Sequence, residues 1–178
     1  MRQQLFSGLT LILCLVLASP AAAGDTPGRT FTGPYLSEIA YPIGGLGTGN
    51  ILLGGRGQVQ HLELVNRPNR VEVPTATFFA LWAREADGEP RAMVLERQLL
   101  PPVQHAQRRQ LAGLPRFREV IFDGTYPFAR LTFQDERMPL EVRLQAWNPY
   151  VPLEPDWSAF PAALFDWTLK NPTGRSIE

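Results

Sequence analysis

The sequence has little cysteine, and this limits how the chain can stabilise itself. Cys14 is the only cysteine among 178 residues, and it lies near the amino terminus. A disulfide-stapled scaffold like those of many small secreted proteins is therefore excluded. Stability must come from burial, and a domain of about 150 residues buries roughly 68–70% of its unfolded surface, which is sufficient.

Lysine is almost absent, and neither sign of charge dominates. Lys170 is the single lysine, and the 17 basic residues are balanced by 17 acidic residues. The basic residues do not form a cluster in the sequence. A nearly neutral chain of this kind gives no reason to expect nucleic acid or an anionic membrane surface as a partner.

Long apolar runs are limited to one, from Leu9 to Ala18, which follows the positively charged Arg2. Small residues just before Gly24 complete the three zones of a secretory signal peptide, with cleavage expected after Ala23. A membrane anchor would need about 20 apolar residues to cross roughly 30 Å of hydrocarbon, and this run is shorter. We therefore expect a signal peptide over residues 1–23, a domain over residues 24–178, no stable membrane anchor, and a periplasmic or extracellular location.

Helical periodicity is missing after residue 23, and period-two alternation recurs between Gly, Pro and Asn residues instead. The pattern predicts strands at Arg116–Phe122, Phe128–Phe133, Pro139–Ala146 and Ala163–Leu169. The run Thr77–Ala83 is apolar on both faces, as expected of a central strand. Several short strands at this spacing predict an all-β fold, an antiparallel β-sandwich.

Two segments depart from the strand pattern. Leu99–Leu114 holds either a short helix from Val103 to Leu111 or a long loop. Near the carboxyl terminus, Ile177 has the position of the first inward residue of a return strand that stops at Glu178. Such a short strand leaves its partner's backbone groups unpaired. We therefore expect the sandwich to be incomplete at its C-terminus and the chain to be truncated.

The glycine-rich run Gly44–Gly49 is followed by Ile51–Leu53, a β-like segment. A dinucleotide site needs glycines that lead from a strand into a helix, and a phosphate loop needs a following Lys-Ser or Lys-Thr; neither is present. We interpret the run as a corner between strands that needs positive φ or close backbone approach. No cofactor is predicted.

Residues that could perform catalysis or hold a metal are sparse. His61 and His105 have no cysteine or carboxylate cluster at ligand spacing, so no metal site is predicted. No apolar pocket is indicated that would raise the pKa of a carboxyl group and make it a general acid. No catalytic residue is predicted in this chain. The carboxylates form two turn-like groups in which solvent exposure is expected: Asp135 with Glu136, and Glu85 with Asp87 and Glu89.

Four tryptophans provide flat apolar surfaces that could stack on sugar rings. Trp82 and Trp167 lie within apolar strands and are expected in the core. Trp147 and Trp157 flank a proline-containing loop, in which an aromatic side chain can contact a ligand or a neighbouring domain. Trp147 and Tyr150 are the candidates for binding substrate.

Six segments of the chain carry a resemblance to a known family, and they are Tyr41–Asn50, Gly54–Gly57, Glu63–Asn69, Phe78–Trp82, Ala146–Pro152 and Phe165–Thr173. In order and approximate spacing they resemble the N-terminal domain of glycoside hydrolase family 116. This is the group of the non-lysosomal β-glucosidase/glucosylceramidase and its bacterial and archaeal relatives. One departure is Leu62, where an aromatic residue is expected before Glu63.

The resemblance implies a β-sandwich packed on an (α/α)6-barrel catalytic domain that holds the nucleophile Glu and the acid/base Asp. No position in this chain matches either catalytic residue, so the chain alone is expected to be inactive.

Two hypotheses follow. The first is a non-catalytic N-terminal domain of an exported β-glucosidase-like enzyme acting on β-glucosides, partnered by a missing catalytic domain. The alternative is a free-standing exported carbohydrate-binding sandwich that uses Trp147 or Tyr150. Under the first hypothesis, the interface with the catalytic domain is predicted at Gly44, Gly45, Gly47, Asn66 and Arg67.

Overall fold

The computed structural model of the chain describes residues 29–64, 71–72, 77–86, 88–100 and 113–178. Within these residues the chain folds mainly into short strands that form three sheets. The helical elements described there are a 3₁₀ helix (Gly33–Glu38) and a single turn of α-helix, α1 (Pro155–Ser158). The predicted all-β class is confirmed.

Five antiparallel strands form the largest sheet, and each strand is hydrogen-bonded to the next from one edge of the sheet to the other. From edge to edge they are β1 (Thr30–Phe31), β9 (Glu119–Asp123), β10 (Ala129–Gln134), β11 (Glu141–Trp147) and β12 (Leu164–Lys170).

The second sheet is also antiparallel and consists of β2 (Ala40–Ile43), β3 (Gly49–Gly54), β4 (Val59–Leu64) and β5 (Val71–Glu72). The third sheet consists of β6 (Ala80–Ala83), β7 (Arg91–Arg97) and β8 (Arg116–Phe117). β6 is antiparallel to β7, whereas β8 is parallel to it. Among the described strands, this parallel pair departs from the antiparallel prediction.

Alternation of apolar and polar residues explains why β10 and β11 form where the sequence predicts them. Exposed Arg130 and Arg143 lie between buried neighbours, so each strand has one dry face and one wet face. The buried residues of the two strands are Ala129, Leu131, Phe133, Val142, Leu144 and Ala146.

One apolar core joins the three sheets. Phe117 of β8 and Phe133 of β10 meet with their ring centroids 5.3 Å apart. Ile43 and Leu53 of the second sheet are fully buried in the same cluster. Trp167 packs against this cluster with its ring 5.7 Å from that of Phe133, so its predicted core position is confirmed. Burial of each large apolar side chain contributes about 1.5–3 kcal/mol, which is why the three sheets form one unit.

The predicted strand Arg116–Phe122 is divided at Arg118. Phe117 and Val120 are both buried, although strict alternation would place residues three apart on opposite faces. The chain therefore kinks, and β8 pairs in the third sheet while β9 pairs in the first. The backbone N–H of Arg118, outside both strands, donates a hydrogen bond of 2.9 Å to the Asp135 carboxylate, which satisfies that group.

The prediction of a central strand at Thr77–Ala83 is wrong. Among the described strands, β6 pairs only with β7, so it lies at the edge of its sheet. Trp82 is 48% exposed and therefore does not belong to the core; the Arg84 guanidinium carbon lies 5.8 Å from its ring centroid. Ala83 is buried on the inner face. An apolar run on both faces did not distinguish a central strand from an edge strand that displays an aromatic side chain.

Residues at the carboxyl terminus pair with the chain just beyond β6. Arg84 and Glu178 exchange two backbone hydrogen bonds of 3.0 and 2.9 Å, and Ile177 packs against the core. The predicted inward orientation of Ile177 is confirmed. The choice between helix and loop at Val103–Leu111 concerns residues outside the described part of the chain.

Candidate functional site

The glycine corner, residues 44–49, connects β2 to β3 in the way the sequence predicts. The backbone N–H of Thr48 donates to the carbonyl oxygen of Gly45 over 3.2 Å and closes the turn. Gly47 and Gly49 have φ values of 75° and 109°, a left-handed region that side chains with a Cβ rarely adopt. Glycine is therefore required for the path of the backbone.

The glycine corner packs directly against the end of α1. The backbone N–H of Leu46 donates a hydrogen bond of 2.7 Å to the carbonyl oxygen of Ser158. A Cβ added to Gly45 would lie 2.4 Å from the carbonyl oxygen of Phe160 and 2.7 Å from that of Ala159. Gly45 therefore allows two distant segments of backbone to touch.

Ser158 also fixes the loop that precedes α1. Its hydroxyl donates to the carbonyl oxygen of Val151 over 2.8 Å and accepts from the backbone N–H of Val151 over 3.1 Å. Ser158 is buried although it is polar, and these bonds satisfy it. Pro155 occupies the first turn of α1, where its missing N–H costs nothing. The loop and the helical turn thus form one braced unit.

This unit displays apolar side chains to solvent. Leu153 is 99% exposed and Trp157 is 66% exposed. Leu153 also has a φ of 66°, which is unfavourable for a leucine. Single exposed apolar residues are ordinary, but a contiguous group marks an interaction site. We name this group the α1 surface, and its members are Leu46, Val151, Leu153, Trp157 and Phe160.

Three of the five predicted domain-interface residues lie beside the α1 surface. Gly44, Gly45 and Gly47 belong to the glycine corner beside the α1 surface, and Gly45 is buried within the domain while Gly47 is exposed. Asn66 and Arg67 lie outside the described residues. Contact of the corner with another domain stays a prediction.

Trp147 and Tyr150, the predicted substrate-binding residues, each lie beside one other aromatic ring. Trp147 points to the outer face of the five-stranded sheet, where its indole N–H donates to the Asp166 carboxylate over 2.8 Å. Its ring centroid lies 6.1 Å from that of Phe128. Tyr150 meets Tyr126 with ring centroids 6.2 Å apart. Binding of a substrate by these residues stays a prediction.

Acidic residues from the two predicted carboxylate groups meet in one open depression of about 490 Å³. Its wall contains Glu85 and Glu89, the distant Glu136, and also Arg91 and Arg137. The carboxylate of Glu85 forms an ion pair with the Arg175 guanidinium at 2.9 Å. A general acid needs apolar surroundings, whereas here guanidinium groups lie among the carboxylates, so the geometry assigns no catalytic role. Asp87 lies outside the described residues.

The expectation that Asp135 is exposed to solvent is wrong. Its side chain is 0% exposed, because the Arg137 guanidinium covers it with hydrogen bonds of 2.8 and 2.6 Å. The backbone N–H groups of Arg137 and Arg118 donate two further bonds of 3.0 and 2.9 Å. The guanidinium bonds, followed by the backbone bonds, lower the pKa of Asp135 to about 2. This carboxylate holds the turn after β10 against the kink at Arg118.

A group of buried charges between β7 and β8 was not predicted. Glu96 and Arg116 form an ion pair of 3.0 Å with side chains that are 6% and 8% exposed. Buried Arg56 donates a hydrogen bond of 2.9 Å to the carbonyl oxygen of Arg97, and burial lowers the pKa of Arg56. Arg97 in turn forms an ion pair with Glu119 at 3.1 Å. Local alternation offered no signal for this group, because its members come from separate segments.

His61 lies in β4, within the alternating run of the sequence, and His105 lies outside the described residues. Within the part of the chain that the structure describes, no three or more His, Cys, Asp or Glu side chains are placed together to hold a metal ion. No described helix has both the length and the apolar character needed to span a lipid bilayer.

The described residues form an all-β domain that presents the apolar α1 surface beside the glycine corner. The family described as "beta-glucosidase 2, glycosyl-hydrolase family 116 N-term" matches residues 40–178, from the start of β2 onward. The chain therefore belongs to this family of N-terminal domains, and the resemblance drawn from the six segments is confirmed. No curated protein matches the chain.

Proposed function

We propose that this N-terminal domain is a non-catalytic part of an exported β-glucosidase-like enzyme and docks on a separate catalytic domain through the α1 surface. The observation that supports docking is the apolar α1 surface, which nothing else in the described residues covers. The first 23 residues, with their signal-peptide pattern, support export to the periplasm or the extracellular space.

Energetics favour the α1 surface as a docking site. Burying a large apolar side chain contributes about 1.5–3 kcal/mol, and tryptophan is among the residues that dominate binding energies. Trp157 and Leu153 are the two most exposed large members of the surface. A leucine held at positive φ costs about 1–3 kcal/mol, and such strained conformations persist mainly at functional positions.

The backbone of the α1 surface is held by three hydrogen bonds, which favours docking. The Leu46–Ser158 bond and the two Val151–Ser158 bonds fix its backbone before any partner binds. A preorganised surface loses less conformational entropy on association. The domain would therefore act as a fixed brace, while hydrolysis by a pair of carboxylates belongs to the catalytic domain.

The test of this division of labour compares two proteins. One is the purified chain, and the other extends it through the reading frame that follows residue 178 in its gene. We expect the chain alone to leave p-nitrophenyl β-glucoside intact and the extended protein to hydrolyse it. Hydrolysis by the chain alone, at a rate near that of the extended protein, would refute the proposal.

The test of the docking surface uses two matched tryptophan variants. The catalytic part of the extended protein is expressed separately, and the purified chain is titrated into it. Calorimetry then gives the affinity of the chain for the catalytic part. Trp157→Ala should weaken this affinity at least about tenfold, since it removes a central aromatic side chain. Trp82→Ala removes a comparably exposed tryptophan from β6 and should change the affinity by less than about twofold. Equal effects of the two variants would exclude the α1 surface.

A further inference from the structure

The outer face of the five-stranded sheet contains an open depression of about 410 Å³. This volume lies within the range of about 300–1,000 Å³ that small-molecule sites occupy. Cross-strand pairing arranges its polar wall in two rows. One row contains Thr132, Arg143 and Thr168, and the other contains Asp123, Arg130 and Gln145.

Several polar groups in this wall are available for a ligand. Among the residues that the structure describes, none hydrogen-bonds to the hydroxyls of Thr132 and Thr168. The Gln145 side-chain oxygen accepts from Nε of Arg130 over 3.1 Å, which orients the amide and leaves its NH₂ group without a described partner. Hydroxyl, amide and guanidinium groups side by side can donate to and accept from the hydroxyls of a polyol.

Aromatic rings border the polar rows at one end. Trp147 follows Gln145 on the same face of β11, since both residues point away from the core. Its indole is fixed by the hydrogen bond to Asp166, and the Arg130 guanidinium carbon lies 4.8 Å from the Phe128 ring centroid. An aromatic ring beside hydrogen-bonding side chains provides both an apolar and a polar contact, as a sugar ring requires.

The charges of this face balance, which decides the class of ligand. Three positive charges on this face come from Arg130, Arg143 and Lys170, and three negative charges come from Asp123, Glu141 and Asp166. Glu119, at the start of β9, is neutralised by an ion pair with Arg97. A face of this composition has no net attraction for an anionic or a cationic ligand. Thr132 and Thr168 add neutral hydroxyl groups to the wall.

We infer that this outer face binds a neutral oligosaccharide, with one sugar ring on Trp147 and the next one over the polar rows. The inference goes beyond the proposed function, because this site would act without a catalytic domain and shares no residue with the α1 surface. The role of this site would be to hold a sugar chain on the surface of this domain.

The test follows the four tryptophan indole N–H signals of the ¹⁵N-labelled chain by NMR during titration with cellotetraose. Titration to about 10 mM fills a site with a dissociation constant near 1 mM to about nine-tenths. We expect a saturable shift of the Trp147 signal, with the Trp82 signal unchanged. The absence of a Trp147 shift with cellotetraose, laminaritetraose and maltotetraose would overturn the inference. Binding of acidic oligosaccharides alone would also overturn it.

Substitutions then separate stacking from polar contact. Trp147→Phe and Thr132→Val should each weaken the binding about three- to tenfold, as loss of ring area or of one hydrogen bond predicts. Thr132→Val keeps the shape of a surface β-branched side chain, so the fold is retained and thermal unfolding serves as the check. The control Trp82→Phe should leave the affinity within about twofold. Unchanged affinity in both Trp147→Phe and Thr132→Val would exclude this face as the site.

Discussion

The backbone N–H of Leu46 donates to the carbonyl oxygen of Ser158 over 2.7 Å and ties the glycine corner to α1. Leu46 belongs to the second sheet's first connection, whereas Ser158 precedes the last strand of the five-stranded sheet. This bond therefore closes a contact between two segments that are far apart in the sequence. It explains why the glycine-rich run and the loop around α1 act as one structural feature.

Gly45→Ala should disrupt that contact. The added Cβ would meet the backbone oxygens of Phe160 and Ala159 at 2.4 and 2.7 Å, and backbone cannot give way cheaply. We expect a loss of about 1–3 kcal/mol in the free energy of unfolding. Hydrogen exchange at the Leu46 amide should accelerate at least about tenfold.

The matched control is Gly47→Ala, at a position with open space but positive φ. It should cost about 1–2 kcal/mol through backbone strain alone. Once the loss in global stability is taken into account, the Leu46 amide of Gly47→Ala should remain as protected from hydrogen exchange as in the unsubstituted chain. Loss of that protection in both variants would show that the close approach at Gly45 is not what holds the corner.

Asp135→Asn should remove an acid-dependent part of the stability. The pKa of Asp135 is about 2 in the folded chain against an ordinary value of 3.8, so the folded state favours the charged form. Its contribution is therefore complete above about pH 5 and is lost as pH falls from 4 towards 2. Since Arg137 is half exposed, solvent screening reduces this contribution to about 1–2 kcal/mol.

Urea unfolding at pH 6 and pH 3 measures this dependence. The free energy of unfolding should fall between pH 6 and pH 3, and this fall should be about 1 kcal/mol smaller in Asp135→Asn than in the unsubstituted chain. Glu136→Gln alters the neighbouring exposed carboxylate and should leave the difference as it is in the unsubstituted chain. The same pH dependence in the unsubstituted chain and in Asp135→Asn would contradict the assignment.

Glu96→Gln should destabilise the interface between β7 and β8. Glu96 is the buried carboxylate nearest to Arg116 and the main favourable charge acting on Arg56. Neutralising it leaves excess positive charge in a dry environment, at an expected cost of about 3 kcal/mol. Chemical denaturation measures this cost, with exposed Glu89→Gln as the control that should change stability by less than about 0.5 kcal/mol.

Leu153→Asn should affect stability and docking in opposite directions. Asparagine tolerates positive φ better than leucine, so the chain alone should gain up to about 1 kcal/mol. The same change removes an exposed apolar side chain from the α1 surface and should weaken binding to the catalytic part. Thermal unfolding and calorimetry measure the two effects, and a gain in both would contradict the proposed role of Leu153.

Features set by local patterning were predictable from the sequence. Strict alternation identified β10 and β11, and glycine chemistry identified the corner before β3. In both cases, the residues that determine the structure are neighbours in the chain. Trp167 was placed correctly for the same reason, because its strand alternates.

Features set by distant contacts were not predictable. The hydrogen bond from the Arg118 backbone N–H to Asp135 joins residues on either side of β9 and β10, and the kink at Arg118 follows from the need to bury both Phe117 and Val120. The edge position of β6 depends on which strands flank it. The α1 surface was missed as a unit, although Trp157 in a proline-containing loop was a partial signal.

The bond between Leu46 and Ser158 also has a consequence for the order of assembly during translation. The ribosome releases the glycine corner early and α1 late, since synthesis proceeds from the amino terminus. The corner therefore waits for its partner until most of the domain has emerged. The α1 surface, to which both segments contribute, is therefore complete only late in synthesis.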